Sequence, residues 1–273
     1  MRGFWGHRLR NWAGVVPWVV GVILLGHGAA WAGVAKIAVA SNFQAPAKQL
    51  VAAFEQETGD RIKLSFGSTG LFYAQIRHGA PFDAFFAADV ERPRRLEQDG
   101  AIVPGSRFTY AEGKLVLWST KPDYMLGNGN VLREGGYEHI ALANPKLAPY
   151  GLAAQQTLRK LGLWETLQRG DRLVMGQNIG QTHQLIASGS VSLGFMALSQ
   201  IQRPGQAVQG SYWPVPSTFY EPIVQQAVLI QDIPVARAFL EFIRGPRAGQ
   251  IIQSYGYEVP AGINKPHRVV VAE

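Results

Sequence analysis

The sequence predicts an α/β protein of two lobes, each a mixed, mostly parallel sheet flanked by helices, with a ligand cleft between them. Three observations carry this prediction. Short apolar strands alternate with helical patterns over residues 36–98. A second alternating set begins at His139. The chain between and after these sets offers two places to cross from one sheet to the other, near residues 112–114 and 221–223.

Lys36-Ile-Ala-Val-Ala40 is an apolar run of strand length. Phe43, Leu50, Val51 and Phe54 follow at helical spacing, which predicts a helix over 42–57 that Gly59 ends. Residues 61–66 alternate as a strand, Gly67-Ser68-Thr69-Gly70 is a turn, and 71–78 has helical spacing. A third strand and helix are expected over 83–87 and 90–98, then a strand over 115–119. Residues 121–137 are rich in glycine and turn formers. The second set has strands over 139–143, 172–175 and 191–196, with helices over 151–161 and 179–188. Pro204, Pro214, Pro216 and Pro222 make 202–222 loop and edge strand. A strand over 223–230 is followed by two helices within 234–255, separated by Gly245-Pro246 and returning to the first lobe. The first lobe is thus read as 33–113 with 223–273, and the second as 114–222.

With 273 residues, 47% hydrophobic and 16% charged, the chain can bury two modest cores. Residues 1–32 read as a secretory signal. Arg2, Arg8 and Arg10 open it, 13–25 is apolar, and Ala30-Trp31-Ala32 precedes a cleavage point near Ala32/Gly33. That apolar run is shorter than the ~20 residues of a membrane-spanning helix. The signal carries three of the 26 basic residues and no acidic one, so the formal charge of +7 falls to +4 without it. The remaining cations are scattered, which argues against nucleic acid as a partner. With no cysteine, disulfides, thiol catalysis, cysteine-held metals and a lipid anchor are all excluded. The expected product is a soluble periplasmic monomer.

Ligands of open α/β sheets bind beyond the carboxyl ends of the strands, where helix N-termini present free N–H groups. Four junctions have this character: Ser41-Asn42, Gly67-Ser68-Thr69-Gly70, Pro149-Tyr150-Gly151 and Asn178-Ile179-Gly180-Gln181. Two fall in each lobe. Taken singly, each reads as a helix cap or a turn, and only their joint placement in a two-lobed pattern points to a ligand. Asp83 and Asp89 fit a strand start and a helix cap better than a catalytic pair. His183 is placed near the cleft rim. Trp118, Trp164 and Trp213 read as packing residues. No His-x-x-x-His zinc pattern, Gly-x-Ser-x-Gly elbow or P-loop is present.

Six stretches together resemble the periplasmic molybdate-binding proteins of molybdate ABC transporters, within the type II periplasmic-binding fold. They are Val39-Ala-Ser-Asn-Phe43, Phe66-Gly-Ser-Thr-Gly70, the segment from Ala80 to Asp89, the segment from Asn144 to Gly151, Gly176-Gln-Asn-Ile179 and Gly194-Phe-Met-Ala-Leu-Ser199. The stretch from Phe239 to Pro246 and then Ile251 to Tyr257 adds to the set.

The resemblance implies a tetrahedral oxyanion ligand, molybdate or tungstate, with no cofactor and no direct protein–metal bond. It implies a hydroxyl and N–H from Ser41, a backbone or side-chain N–H from Asn42, a hydroxyl and N–H from Thr69 with Ser68 beside it, and backbone N–H groups from Tyr150 and Ile179. Some members use a tyrosine hydroxyl in the segment where this chain has Met196 and Ala197. A donor-only site suits an anion that carries no proton, and none of the four junctions offers the Asp or Glu that an octahedral metal would require. The expected function is capture of the oxyanion for a membrane permease. The alternatives are a sulfate- or thiosulfate-type binder on the same fold, or a secreted hydrolase using Ser41 or Ser68.

Overall fold

Two five-stranded sheets carry the chain in a computed structural model that describes residues 33–125 and 129–261, all within one compact unit, Ala32–Glu273. The signal read over 1–32, the end of the first lobe beyond residue 261, and residues 126–128 lie outside the described residues. The first stretch runs β1 (Val34–Ala40), α1 (Gln44–Thr58), β2 (Arg61–Gly67), α2 (Thr69–Arg77), β3 (Ala84–Ala87), α3 (Glu91–Gln98) and β4 (Phe108–Gly113). The second begins with β5 (Leu115–Ser119), α4 (Val131–Glu134), β6 (Ile140–Ala143), α5 (Pro149–Lys160) and α6 (Trp164–Arg169). It continues with β7 (Leu173–Gly176), α7 (Ile179–Ala187), β8 (Gly194–Ala197), α8 (Leu198–Ile201) and β9 (Ser211–Pro214). The chain then returns through β10 (Ile223–Leu229), α9 (Pro234–Arg244) and α10 (Pro246–Ser254).

The strand orders are β2-β1-β3-β10-β4 and β7-β6-β8-β5-β9. In the first sheet β2, β1 and β3 are parallel, β10 is antiparallel to β3, and β4 is antiparallel to β10. Four of the five strands therefore point the same way. The second sheet repeats this arrangement with β5 as its reversed strand. Both reversed strands are the ones that follow a crossing between sheets, so each crossing delivers the chain in the direction opposite to its new neighbours.

Register aligns the functional edge. Ala40 lies opposite Gly67, and Ala143 opposite Gly176. The chain leaves neighbouring strands at one level, which sets Ser41 beside Ser68 and Asn144 beside Gln177. Burial on both faces explains the unbroken apolar runs: Ile37, Ala38 and Phe85 are fully buried in the first sheet, and Leu142 and Phe195 in the second. Each such large side chain contributes about 1.5–3 kcal/mol by burial. Phe43, just past β1, packs against Phe86 and Tyr110 with ring centroids 6.2 and 4.7 Å away, pinning the Ser41-Asn42 junction to the core beneath it.

Some elements depart from expectation. The α2 helix starts at Thr69, two residues early, because the Ser68 hydroxyl caps it by accepting from the Leu71 N–H. The α5 helix starts at Pro149, whose fixed φ suits the first helical turn. A short 3₁₀ turn over Ser41–Phe43 precedes α1. The sequence reading missed β4, whose mixed Phe-Thr-Tyr-Ala-Glu-Gly run gives no clean alternation, and it missed the short helices α4, α6 and α8. The β4–β10 register also breaks: Gln225 faces Ala111 and Gln226 faces Thr109, leaving Tyr110 unpaired in a bulge. Such bulges re-aim side chains. Here the bulge turns Tyr110 into the core, where it is fully buried.

Candidate functional site

Helix N-termini end in N–H groups that the helix itself cannot satisfy. Four helices begin at the sheets' facing edges: the Ser41 turn leading into α1, then α2, α5 and α7. None of them has an acidic residue in its first turn, whereas α3, which is not one of the four, has Glu91. Each N-terminus carries roughly half a positive charge, so four together offset about two negative charges.

The junctions meet in pairs across the two sheets. The Gly180 N–H, at the start of α7, donates to the Ser41 Oγ at 3.3 Å. The Gly70 N–H, at the start of α2, donates to the Leu147 carbonyl just before α5 at 2.9 Å. The Arg92 side chain, paired with Asp89, donates to the Lys146 carbonyl at 3.0 Å on the same flank. Ala40 and Ala88, at the ends of β1 and β3, pack into the same apolar cluster as Tyr150 and Ile179. Ser41, Asn42, Ser68, Thr69, Tyr150 and Ile179 are all 5% exposed or less.

The hydroxyls are set up as donors. Thr69 Oγ1 accepts from the Ala88 N–H at 3.1 Å, and Ser41 Oγ from Gly180. With an oxygen lone pair filled by a backbone N–H, each hydroxyl proton is left to point at an acceptor. Ile179 is the first residue of α7 and Tyr150 the second of α5, so their N–H groups have no intrahelical acceptor. Asn178 caps α7 by accepting from Gly180 and Gln181, at 2.9 and 3.1 Å. At Asn42 the two expected donors separate. The side-chain Nδ2 donates to the Gln225 Oε1 at 2.9 Å and to the Tyr257 hydroxyl at 2.8 Å, pointing inward. Only the backbone N–H of Asn42 remains as a candidate donor.

Those inward bonds reveal residues that the sequence reading did not single out. Gln225, fully buried on β10, also accepts from the Tyr110 hydroxyl at 2.9 Å and donates from Nε2 to the Tyr150 hydroxyl at 3.2 Å. Ser199 donates to the Tyr257 hydroxyl at 2.8 Å, and the Asn42 carbonyl accepts from either hydroxyl at 3.0 Å. This network joins Asn42 of the first sheet's edge to Tyr150 and Ser199 of the second. Gly113, where β4 hands over to β5, is glycine for lack of room, since a Cβ there would collide with the Tyr150 hydroxyl. Met196 and Ala197 are fully buried in β8. His183 stacks on Trp118 at 5.4 Å and has no hydrogen bond to Ser41 or Ser68 among the described residues. The geometric requirement for a serine hydrolase is therefore not met there. Asp83 and Asp89 accept from the backbone N–H groups of Lys36 and Arg92, as structural residues do.

Burial raises the tyrosines of this network. Desolvation pushes Tyr110 and Tyr150 well above the ordinary phenol value and Tyr257 up to about 12. In the unfolded chain these groups ionise near pH 10, while the folded protein keeps them protonated. The unfolded state therefore binds fewer protons above pH 10, and stability is lost as pH rises. The loss should reach up to about 4 kcal/mol per pH unit for three such groups. Melting temperatures measured from pH 9 to 11 should fall steeply past pH 10, with tyrosinate absorbance of these residues appearing only on unfolding. A flat profile would contradict the buried network.

Residues 35–258 match the family model for bacterial extracellular solute-binding proteins. The molybdate-binding protein ModA of Azotobacter vinelandii is 49% identical over 243 residues, spanning 86% of this chain and 96% of that one. ModA of Rhodobacter capsulatus is 44% identical over 253 residues, spanning 91% and 96%. The solved structure of the Azotobacter vinelandii periplasmic molybdate-binding protein superposes with a TM-score of 0.81 at 45% identity, covering 83% of this chain and 99% of that one.

Proposed function

Since the chain belongs to the bacterial extracellular solute-binding protein family, in its molybdate-binding group, we propose that it captures molybdate as the intact tetrahedral anion and hands it to the permease of an ABC transporter. It binds and does not catalyse. Tungstate, of nearly the same size and also fully ionised, is taken as a second ligand. Residues 1–32 direct export, with cleavage near Ala32/Gly33, and the product works in the periplasm as a monomer. Its lobes, 33–113 with 223–273 and 114–222, close on the ion by hinge motion.

One observation carries the reading: four helix N-termini without acidic residues face each other in pairs across the two sheets, with hydroxyls whose protons are free to donate. Ser41, Thr69 and Ser68 supply hydroxyls, while Asn42, Tyr150 and Ile179 supply backbone N–H groups. Neutral donors suffice, because a hydrogen bond to an ion contributes about 1.5–3 kcal/mol. Monoprotonated phosphate is disfavoured, because its own O–H needs an acceptor that such a site lacks.

Calorimetric titration of the exported protein with molybdate, tungstate, sulfate and phosphate tests this. Molybdate and tungstate should bind most tightly, and a preference for sulfate or no heat with either metal oxyanion would overturn it. Ser41→Ala and Thr69→Val should each weaken molybdate binding by about 1–3 kcal/mol, through the lost charge-assisted bond. Unchanged affinity in both would displace the site from these junctions.

A further inference from the structure

We propose that the anion reaches this site through one particular flank of the cleft, the groove lined by Lys48 and Arg203, which acts as an electrostatic entry channel. The inference rests on the oxyanion-binding reading above and specifies its route. Among the six site residues, Ser41 is the one that lines an open groove of about 490 Å³, together with the α7 N-terminus at Asn178 and Gly180. The groove wall carries Lys48 and Arg203 and no carboxylate. Neither cation has a carboxylate partner among the described residues. Lys48 lies over the Phe66 ring at 5.8 Å, and Arg203 donates only to the carbonyls of Ser199 and Gln202, at 3.1 and 3.0 Å. Both charges therefore project an uncompensated positive field at the side of the site where Ser41 reaches open space.

The opposite flank is different. A groove of about 590 Å³ runs there past Gly70 and Pro149, and its three cations, Arg92, Arg95 and Lys146, are matched by Asp89, Glu91 and Glu221. Arg92 is paired with Asp89, and Arg95 with Glu91 at 2.6 Å. That flank is also bridged by the Arg92 bond to the Lys146 carbonyl. A dianion approaching the cleft thus meets net attraction on one side and a neutral, bridged wall on the other. A groove lined by one sign of charge concentrates counter-ions and raises association rates. Over about 10 Å such a field survives at 0.1 M salt and is screened at higher ionic strength.

The test is the rate of molybdate association with the exported protein, followed by stopped-flow tryptophan fluorescence and checked by calorimetry. At low salt, Lys48→Gln with Arg203→Gln should slow association by roughly fivefold. At 0.5 M salt the rates should converge with wild type, and dissociation should barely change. Lys48→Gln alone, at an exposed position whose loss does not threaten folding, should slow it by about twofold. Arg95→Gln with Glu91→Gln on the far flank, which removes an ion pair and leaves that groove balanced, should leave the rate as it is. Equal slowing by the far-flank pair, or no salt-dependent slowing by the near pair and by Lys48→Gln alone, overturns the route. If wild type gives no heat with molybdate, the oxyanion reading itself fails and the route with it. That result is distinct from tight binding that is equally fast in every variant.

Discussion

Gly151→Ala should destabilise the protein by about 3 kcal/mol or more and weaken its oxyanion binding together with its stability. Gly151 is the third residue of α5, and its φ is not positive, so any residue could adopt its backbone conformation. What forbids a side chain is space. A Cβ would overlap the Ala143 carbonyl oxygen and come within 2.7 Å of its carbonyl carbon and 2.9 Å of the Asn144 carbonyl carbon. These are backbone atoms at the end of β6, a central strand of its sheet that is buried along its whole length. A flexible side chain could swing away, but a hydrogen-bonded strand cannot. The helix must therefore retreat, carrying the Tyr150 N–H with it and stretching the contact of Leu147 with Gly70. For a chain of this size the loss corresponds to a melting temperature lower by about 6–12 °C. Differential scanning calorimetry and molybdate titration would read both effects. Gly180→Ala is the control for stability, because the atoms nearest its Cβ would belong to side chains, the Asn178 oxygen at 3.0 Å and the Ser41 Cβ at 3.5 Å. An unchanged melting temperature in Gly151→Ala would mean that α5 does not rest on β6 as described.

The difference between what could and could not be read in advance follows from sequence distance. Ser68 and Asn178 were legible because each caps its own helix within three residues, and local chemistry leaves a local signature. The apolar strands were legible because a sheet covered on both faces buries every residue, as over Ala84–Ala87 and Ile140–Ala143. Gln225, Tyr110, Tyr257 and Ser199 were not. Asn42 meets Gln225 across 183 residues and Tyr257 across 215, so neither has a partner at any spacing that a motif could encode. Tyr110 was doubly hidden, since it sits in a bulge of β4, the strand whose alternation the sequence obscures. For Asn42 the sequence could suggest a donor but not its direction. The direction is set by what lies behind it, and Gln225 and Tyr257 draw the amide inward.

Gln225→Leu is the second substitution with a large expected effect, because it removes the one side chain that touches Asn42, Tyr110 and Tyr150 at once. Leu fills similar volume, so packing is nearly conserved and the loss isolates the polar contacts. One Asn42 N–H is left without an acceptor, the Tyr110 hydroxyl keeps only its 3.2 Å bond to the Ala87 carbonyl, and the Tyr150 hydroxyl loses its donor. The Asn42 amide and the Tyr150 hydroxyl are both buried, and each partner lost from a buried group costs about 1–3 kcal/mol, so a total of about 2–6 kcal/mol is expected. The bonds join opposite sheets at the crossings, next to Gly113, so the harm should extend to binding. With only the Tyr257 hydroxyl left to accept from its amide, Asn42 holds the Ser41 turn less firmly. Gln225→Glu separates the two roles. Its shape is retained, and a protonated carboxyl can still accept from Asn42 and Tyr110 while donating to Tyr150. Ionising it in this buried setting is disfavoured, so its folded pKa rises above the unfolded value of about 4.3. The stability of Gln225→Glu should then be near wild type below pH 4.3 and fall as pH rises through the raised folded value, by about 1.4 kcal/mol per unit. Gln225→Leu should instead be destabilised equally at every pH between 4 and 8. Thermal melts of the two variants over that range decide the matter: parallel pH profiles would show that Gln225 fills space and does not organise the network.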